Sequence, residues 1–197
     1  MLVQYAKRLI RDVAAGLTLG VLFIVFPQGA SSSPPTTPLS TQDRAFLEDA
    51  ALAILSEIQF GKIAIEKAVD PRVREFASRN LSDYFRIREA LLNVAANDQA
   101  PLPDHLSGEA LRDYQRLIVI PRPWFDRLCV YMMYKWHAVA LRGYQEAAKT
   151  VAEPKLRAWT EQTLPLIKDQ LQSIKRIAIA KGVSMNSGDG QRKIPKY

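Results

Sequence analysis

The chain has 197 residues, 48% hydrophobic and 24% charged, a length and balance that fit one globular domain and exclude a disordered polypeptide. Its 27 Lys and Arg against 20 Asp and Glu give a formal charge of +7. The cations are spread along the chain without a helix-turn-helix, zinc-finger or stacking-aromatic pattern, so nucleic acid is not an expected partner.

In chain order, Lys7, Arg8 and Arg11 form a positive front before the uncharged apolar run Val13 to Phe26. Pro27, Gly29, Ala30 and Ser31 follow, giving the three-part layout of a secretory signal peptide over residues 1–31. The run is short for a spanning helix, which needs about 20 apolar residues. An uncleaved N-terminal membrane tether is the other reading, and both place the rest of the chain outside the cytoplasm, in the periplasm or envelope. The only cysteine is Cys129, so no lipid-bearing cysteine follows the run and no intramolecular disulfide can form. Its neighbours Val130, Met132 and Met133 suggest a buried, inert thiol.

Residues 32–42 are rich in Ser, Thr and Pro and read as a linker. A helical domain is expected over 43–182. Its first helix, about Asp43 to Val69, carries Leu47, Ala51, Ile54, Ile58, Gly61 and Ile65 as one stripe at helical spacing. Asp70 is expected to cap and Pro71 to open a second helix, with Val73, Ala77, Tyr84, Ile87, Leu91 and Val94 inward.

A proline-bearing loop, Ala100 to His105, leads to a short helix capped by Ser107. The third long helix, about Trp124 to Ala152, turns Phe125, Leu128, Met132, Trp136, Val139 and Tyr144 inward. Glu153-Pro154 repeats the cap-plus-proline device. The fourth helix then carries Leu156, Trp159, Thr163, Ile167, Leu171, Ile174 and Ile177, with a kink expected at Pro165 and a stop at Gly182. Residues 183–197 read as a flexible basic tail. The sum is an all-α antiparallel four-helix bundle, two helical hairpins joined by a crossover containing a short helix.

The stretch Phe46-Leu47, Glu57-Ile58, Gly61-Lys62, Lys67-Ala68, Val73, Phe76-Ala77 and Asp83 is similar to the first hairpin of domain-of-unknown-function family 4142. The second hairpin is similar too, through Trp124-Phe125-Asp126-Arg127, His137 and Thr163-Leu164-Pro165. The resemblance implies an exported bacterial protein with a ferritin-like bundle, of a kind often labelled outer-membrane protein, and no settled activity. Members commonly carry histidines where this chain has Tyr84, His137 and Gln170, so a metal role implied by the family is not supported by these residues.

A di-iron bundle needs two Glu-x-x-His pairs, because residues three apart share a face and grip one metal together. None occurs here: Arg86 follows Asp83 by three and Tyr134 precedes His137 by three. Glu57, Tyr84, His137 and Gln170 are expected to meet inside as a polar site. It is read either as a hydrogen-bonded network fixing helix register or as a residual metal or small-ligand pocket. Catalysis is not expected, since Cys129 and His137 lie two turns apart and no Gly-rich phosphate loop is present. No cofactor is expected, and the partner would be an unidentified envelope component.

Overall fold

The structure is a computed structural model that describes residues 39–98 and 100–185. The expected signal segment, residues 1–31, most of the linker and the basic tail beyond residue 185 lie outside it. Among the described residues all regular structure is helical, in five elements: α1 (Thr41–Lys67), α2 (Pro71–Asp98), α3 (Gly108–Val119), α4 (Arg122–Thr150) and α5 (Pro154–Ala180).

Local chemistry sets the helix ends. The Ser40 hydroxyl accepts the Asp43 N–H at 3.0 Å and starts α1. Asp70 and Glu153 cap the helices that Pro71 and Pro154 open, accepting from the N–H groups of Arg72 and Leu156. Gly182, at φ +59°, ends α5 in the left-handed conformation that lets Val183 N–H reach back to Ala178 O at 2.8 Å. Ser107 precedes α3 but makes no side-chain cap, contrary to the sequence expectation.

α1 pairs with α2 and α4 with α5; α1 also packs on α4, and α2 on α5. Asp43, near the start of α1, contacts the turn after α4, while Asp126, near the start of α4, contacts the turn after α1. α1 and α4 are therefore antiparallel, and the α2–α4 connection runs the length of the bundle. Along it α3 packs on α1 and α4. Lys67 fastens its end, its Nζ donating to the carbonyls of Leu117, Ile118 and Ile120 at 3.0, 2.6 and 3.1 Å.

The apolar core forms two clusters stacked along the bundle axis. One holds Phe60, Phe76, Phe125, Leu128, Met133 and Ile174; the other holds Leu47, Ile54, Tyr84, Leu91, Leu156 and Ile167. The stripes of α2 and α5 run largely as the sequence predicts, with Leu171 and Ile177 only half-buried. Two positions depart outright. Ile65 is 38% exposed, because the packing of α3 and α4 moves the buried set of late α1 to Phe60, Ile63, Ala64 and Ala68. Val139 is 43% exposed. It lies about 200° round the helix from the inward His137. Trp136 is half-buried because its indole N–H reaches outward to Asp113 of α3 at 3.0 Å. α5 continues unbroken through Pro165, which stands on its exposed face.

Candidate functional site

Between the two apolar clusters each long helix contributes a buried polar side chain to one layer: Glu57 from α1, Asn80 from α2, His137 from α4 and Gln170 from α5. Each is flanked on its own helix by members of both clusters, as His137 is by Met133 and Ala140. The Asn80 amide nitrogen donates to Glu57 Oε2 at 3.0 Å, and its carbonyl oxygen faces His137 Nε2 at 3.2 Å. His137 Nδ1 lies 2.8 Å from its own helix's Met133 carbonyl and 3.2 Å from Glu57 Oε1.

Both imidazole nitrogens thus face acceptors, which is the environment of a doubly protonated ring. Burial alone pushes the His137 pKa down. The Glu57 carboxylate, the Met133 carbonyl and Gln170 together outweigh it and hold the pKa above the ordinary value. His137 and Glu57 form a buried ion pair, with Asn80 bridging them.

Gln170 Nε2 donates to Asp83 Oδ2 at 3.2 Å, and the other oxygen of Asp83 is held by Arg86. Tyr84 is buried and sets its ring edge-on to His137, centroids 5.9 Å apart at 82°. Phe76 is the second aromatic neighbour of the imidazole, also at 5.9 Å. Burial, with Glu57 next in weight, raises the Tyr84 pKa and keeps the phenol neutral.

All four residues singled out from sequence are therefore buried. Glu57 and His137 touch; Tyr84 packs on the imidazole; Gln170 lies by Asp83. Asn80, the bridging amide, was not anticipated. Its signal was present: it stands seven residues after Val73 and seven before Ile87, a polar residue inside an apolar stripe.

A histidine binds metal through an unprotonated nitrogen, and this one has both nitrogens turned to acceptors. Among the described residues no group of three or more His, Cys, Asp or Glu is placed to hold a metal ion. Cys129 is buried with its Sγ 3.7 Å from Met133 Sδ, and burial pushes the thiol pKa far up, so it is not a nucleophile. His105 is exposed beside Asp104.

Architecture and interior define the class: an all-α bundle of two hairpins with an internal polar layer. The sequence profile of the family described as domain of unknown function (DUF4142) matches residues 28–177, and the chain belongs to that family. Among solved structures it is similar to one described as the crystal structure of a DUF305 fragment from Deinococcus radiodurans. That likeness has a TM-score of 0.65 at 13% identity, covering 73% of this chain and 99% of the other. It is also similar to a structure described as CopM in the Cu(I)-bound form, with a TM-score of 0.59 at 15% identity over 71% of this chain and 96% of that one. At such identities the likeness concerns the fold alone. No curated protein matches the chain.

Proposed function

We propose that this is an exported protein of the periplasm or envelope whose helical bundle acts without enzymatic chemistry and without a bound metal. The observation that carries this reading is the polar layer, in which Asn80 and the Met133 carbonyl engage both nitrogens of the interior imidazole, beside Glu57, so that it is not free to serve as ligand or base. A buried charge-paired layer of this kind favours one helix register, since a slipped register leaves the charges unpaired. Export is supported by Lys7, Arg8 and Arg11 ahead of the Val13–Phe26 run.

The alternative is a degenerate ferritin-like metal-binding protein, and the Cu(I)-bound neighbour gives it a chemical form. Cu(I) prefers soft thiolate and thioether ligands. Cys129 and Met133 bring two sulfurs together, but the thiol is held protonated in an apolar pocket. Two measurements test the proposal. A reporter active only outside the cytoplasm, fused after Gln42, should work with residues 1–31 present and fail without them. The full protein should purify without stoichiometric iron, zinc or copper; about one retained copper per chain would move the function to the alternative.

A further inference from the structure

A groove of about 380 Å³ opens on the flank of the bundle between α1, α4 and the N-terminus of α3. It exists because the facing helices present small residues there: Ala50 and Ala53 from α1, Ala140 and Gly143 from α4. A Cβ added at Gly143 would meet no atom within 4 Å. The walls are apolar and aromatic, with Phe46, Trp136 and Tyr144, and the volume lies in the range of small-molecule sites.

Two lining residues, Glu57 and Tyr144, are only 2% and 3% exposed, and each carries a buried oxygen without a hydrogen-bond partner: Glu57 Oε1 and the Tyr144 hydroxyl. Glu57 Oε1 lies 3.2 Å from His137 Nδ1 in the ion pair, but that nitrogen makes its hydrogen bond to Met133 O at 2.8 Å, so the carboxylate oxygen keeps acceptor capacity for a further donor. Buried polar atoms of this kind are rare, and a ligand donor is one way to satisfy them. Charge narrows the class. Asp49, Glu57 and Glu109 line the groove, whereas no Lys or Arg does. Lys135 stands outside the lining and is engaged by Glu109 and Asp113 at 2.7 and 2.8 Å. The positive end of α3 is matched by Glu109 in its own first turn, so it does not call for an anion.

We infer that this groove binds a small organic cation with an apolar body, an alkyl- or arylammonium, its N–H group meeting Glu57 Oε1 and its body lying against Phe46, Trp136 and Tyr144. Aromatic faces attract cations as well as apolar surface, so walls and carboxylate select the same chemistry. The site belongs to the folded domain and stands or falls independently of export.

Calorimetric titration of the full protein with 2-phenylethylammonium, 2-phenylethanol and 3-phenylpropanoate tests it. The ammonium should bind saturably, the alcohol about ten-fold or more weakly, as loss of a charged hydrogen bond implies, and the carboxylate not at all. Gly143→Leu should fill the open space and abolish ammonium binding while melting no lower than wild type, because leucine is the better helix former. Glu57→Gln should bring ammonium and alcohol to similar affinity; should that variant not fold, Gly143→Leu decides alone. Equal binding of all three probes, no saturable ammonium binding, or unchanged binding by Gly143→Leu overturns the inference.

Discussion

Asp43 and Asp126 hold equivalent places in the two hairpins, each satisfying the turn of the other. Asp43 accepts the backbone N–H groups of Ala152 and Glu153 at 3.1 and 2.9 Å, and Asp126 those of Val69 and Asp70 at 2.9 and 2.8 Å. The turns themselves correspond, Val69-Asp70-Pro71 to Ala152-Glu153-Pro154, so each carries one capping carboxylate of its own and one from across the bundle. These reciprocal bonds tie α1 to α4 at both ends.

Removing either clamp should therefore cost more than a surface substitution. Asp126→Ala leaves two backbone donors without their carboxylate, and a loss of about 2–4 kcal/mol is expected. Asp43→Ala should cost a similar amount. Urea denaturation measures both; a change as small as that of an exposed Asp104→Ala control would show that the clamps add nothing.

The ion pair of the polar layer has a signed pH dependence. The folded pKa of His137 is raised above its ordinary 6.5, so its contribution is fully present below that value and declines as pH rises through the folded pKa. Melting temperature should fall between neutral and mildly alkaline pH in wild type, and that slope should flatten in His137→Gln. At acid pH a different group acts. Arg72, then Lys181, holds the Asp70 carboxyl well below the usual carboxylate range, so its contribution disappears as pH falls below about 4. The His137→Gln variant should keep that acid limb.

Ile54 and Ile65 separate the true core face of α1 from its edge. Ile54 is 1% exposed and Ile65 38%. Ile54→Asp should cost about 3–5 kcal/mol, because an unpaired carboxylate enters the apolar cluster, whereas Ile65→Asp should stay within about 1 kcal/mol. Equal losses on chemical denaturation would contradict the packing of late α1.

Cys129 should be chemically silent in the folded protein. Fully buried, with its thiol pKa pushed far up by burial, it offers no thiolate to a disulfide reagent. Labelling should proceed only at the rate of unfolding and become immediate in denaturant; fast labelling of native protein would place the thiol at the surface.

Placing histidines at the two positions where the family resemblance implies them tests what the polar layer lacks. Tyr84→His with Gln170→His would bring three imidazoles near one carboxylate, a ligand set suited to zinc or copper. A melting temperature that rises with metal concentration is expected for this variant and not for wild type. A variant that folds yet ignores metal would show that Asn80, Met133 and Glu57 keep the His137 nitrogens from a ligand role.

The sequence alone determined the helices, their order and most of their inward faces, because periodicity, capping and proline are properties of neighbouring residues. Asp70-Pro71 and Glu153-Pro154 announced both tight turns, and the stripe from Val73 to Leu91 could be read residue by residue. Tertiary packing decided the rest. Where α3 lies fixed the exposure of Ile65, the outward reach of Trp136 and the open end that Ser107 does not cap. Ala152, Val69 and Asn80, which bond the side chains of Asp43, Asp126 and His137 across the bundle, stand 57 or more residues away from them in sequence. No local pattern encodes such pairings, because a carboxylate or an imidazole shows its role only through the groups that folding brings against it.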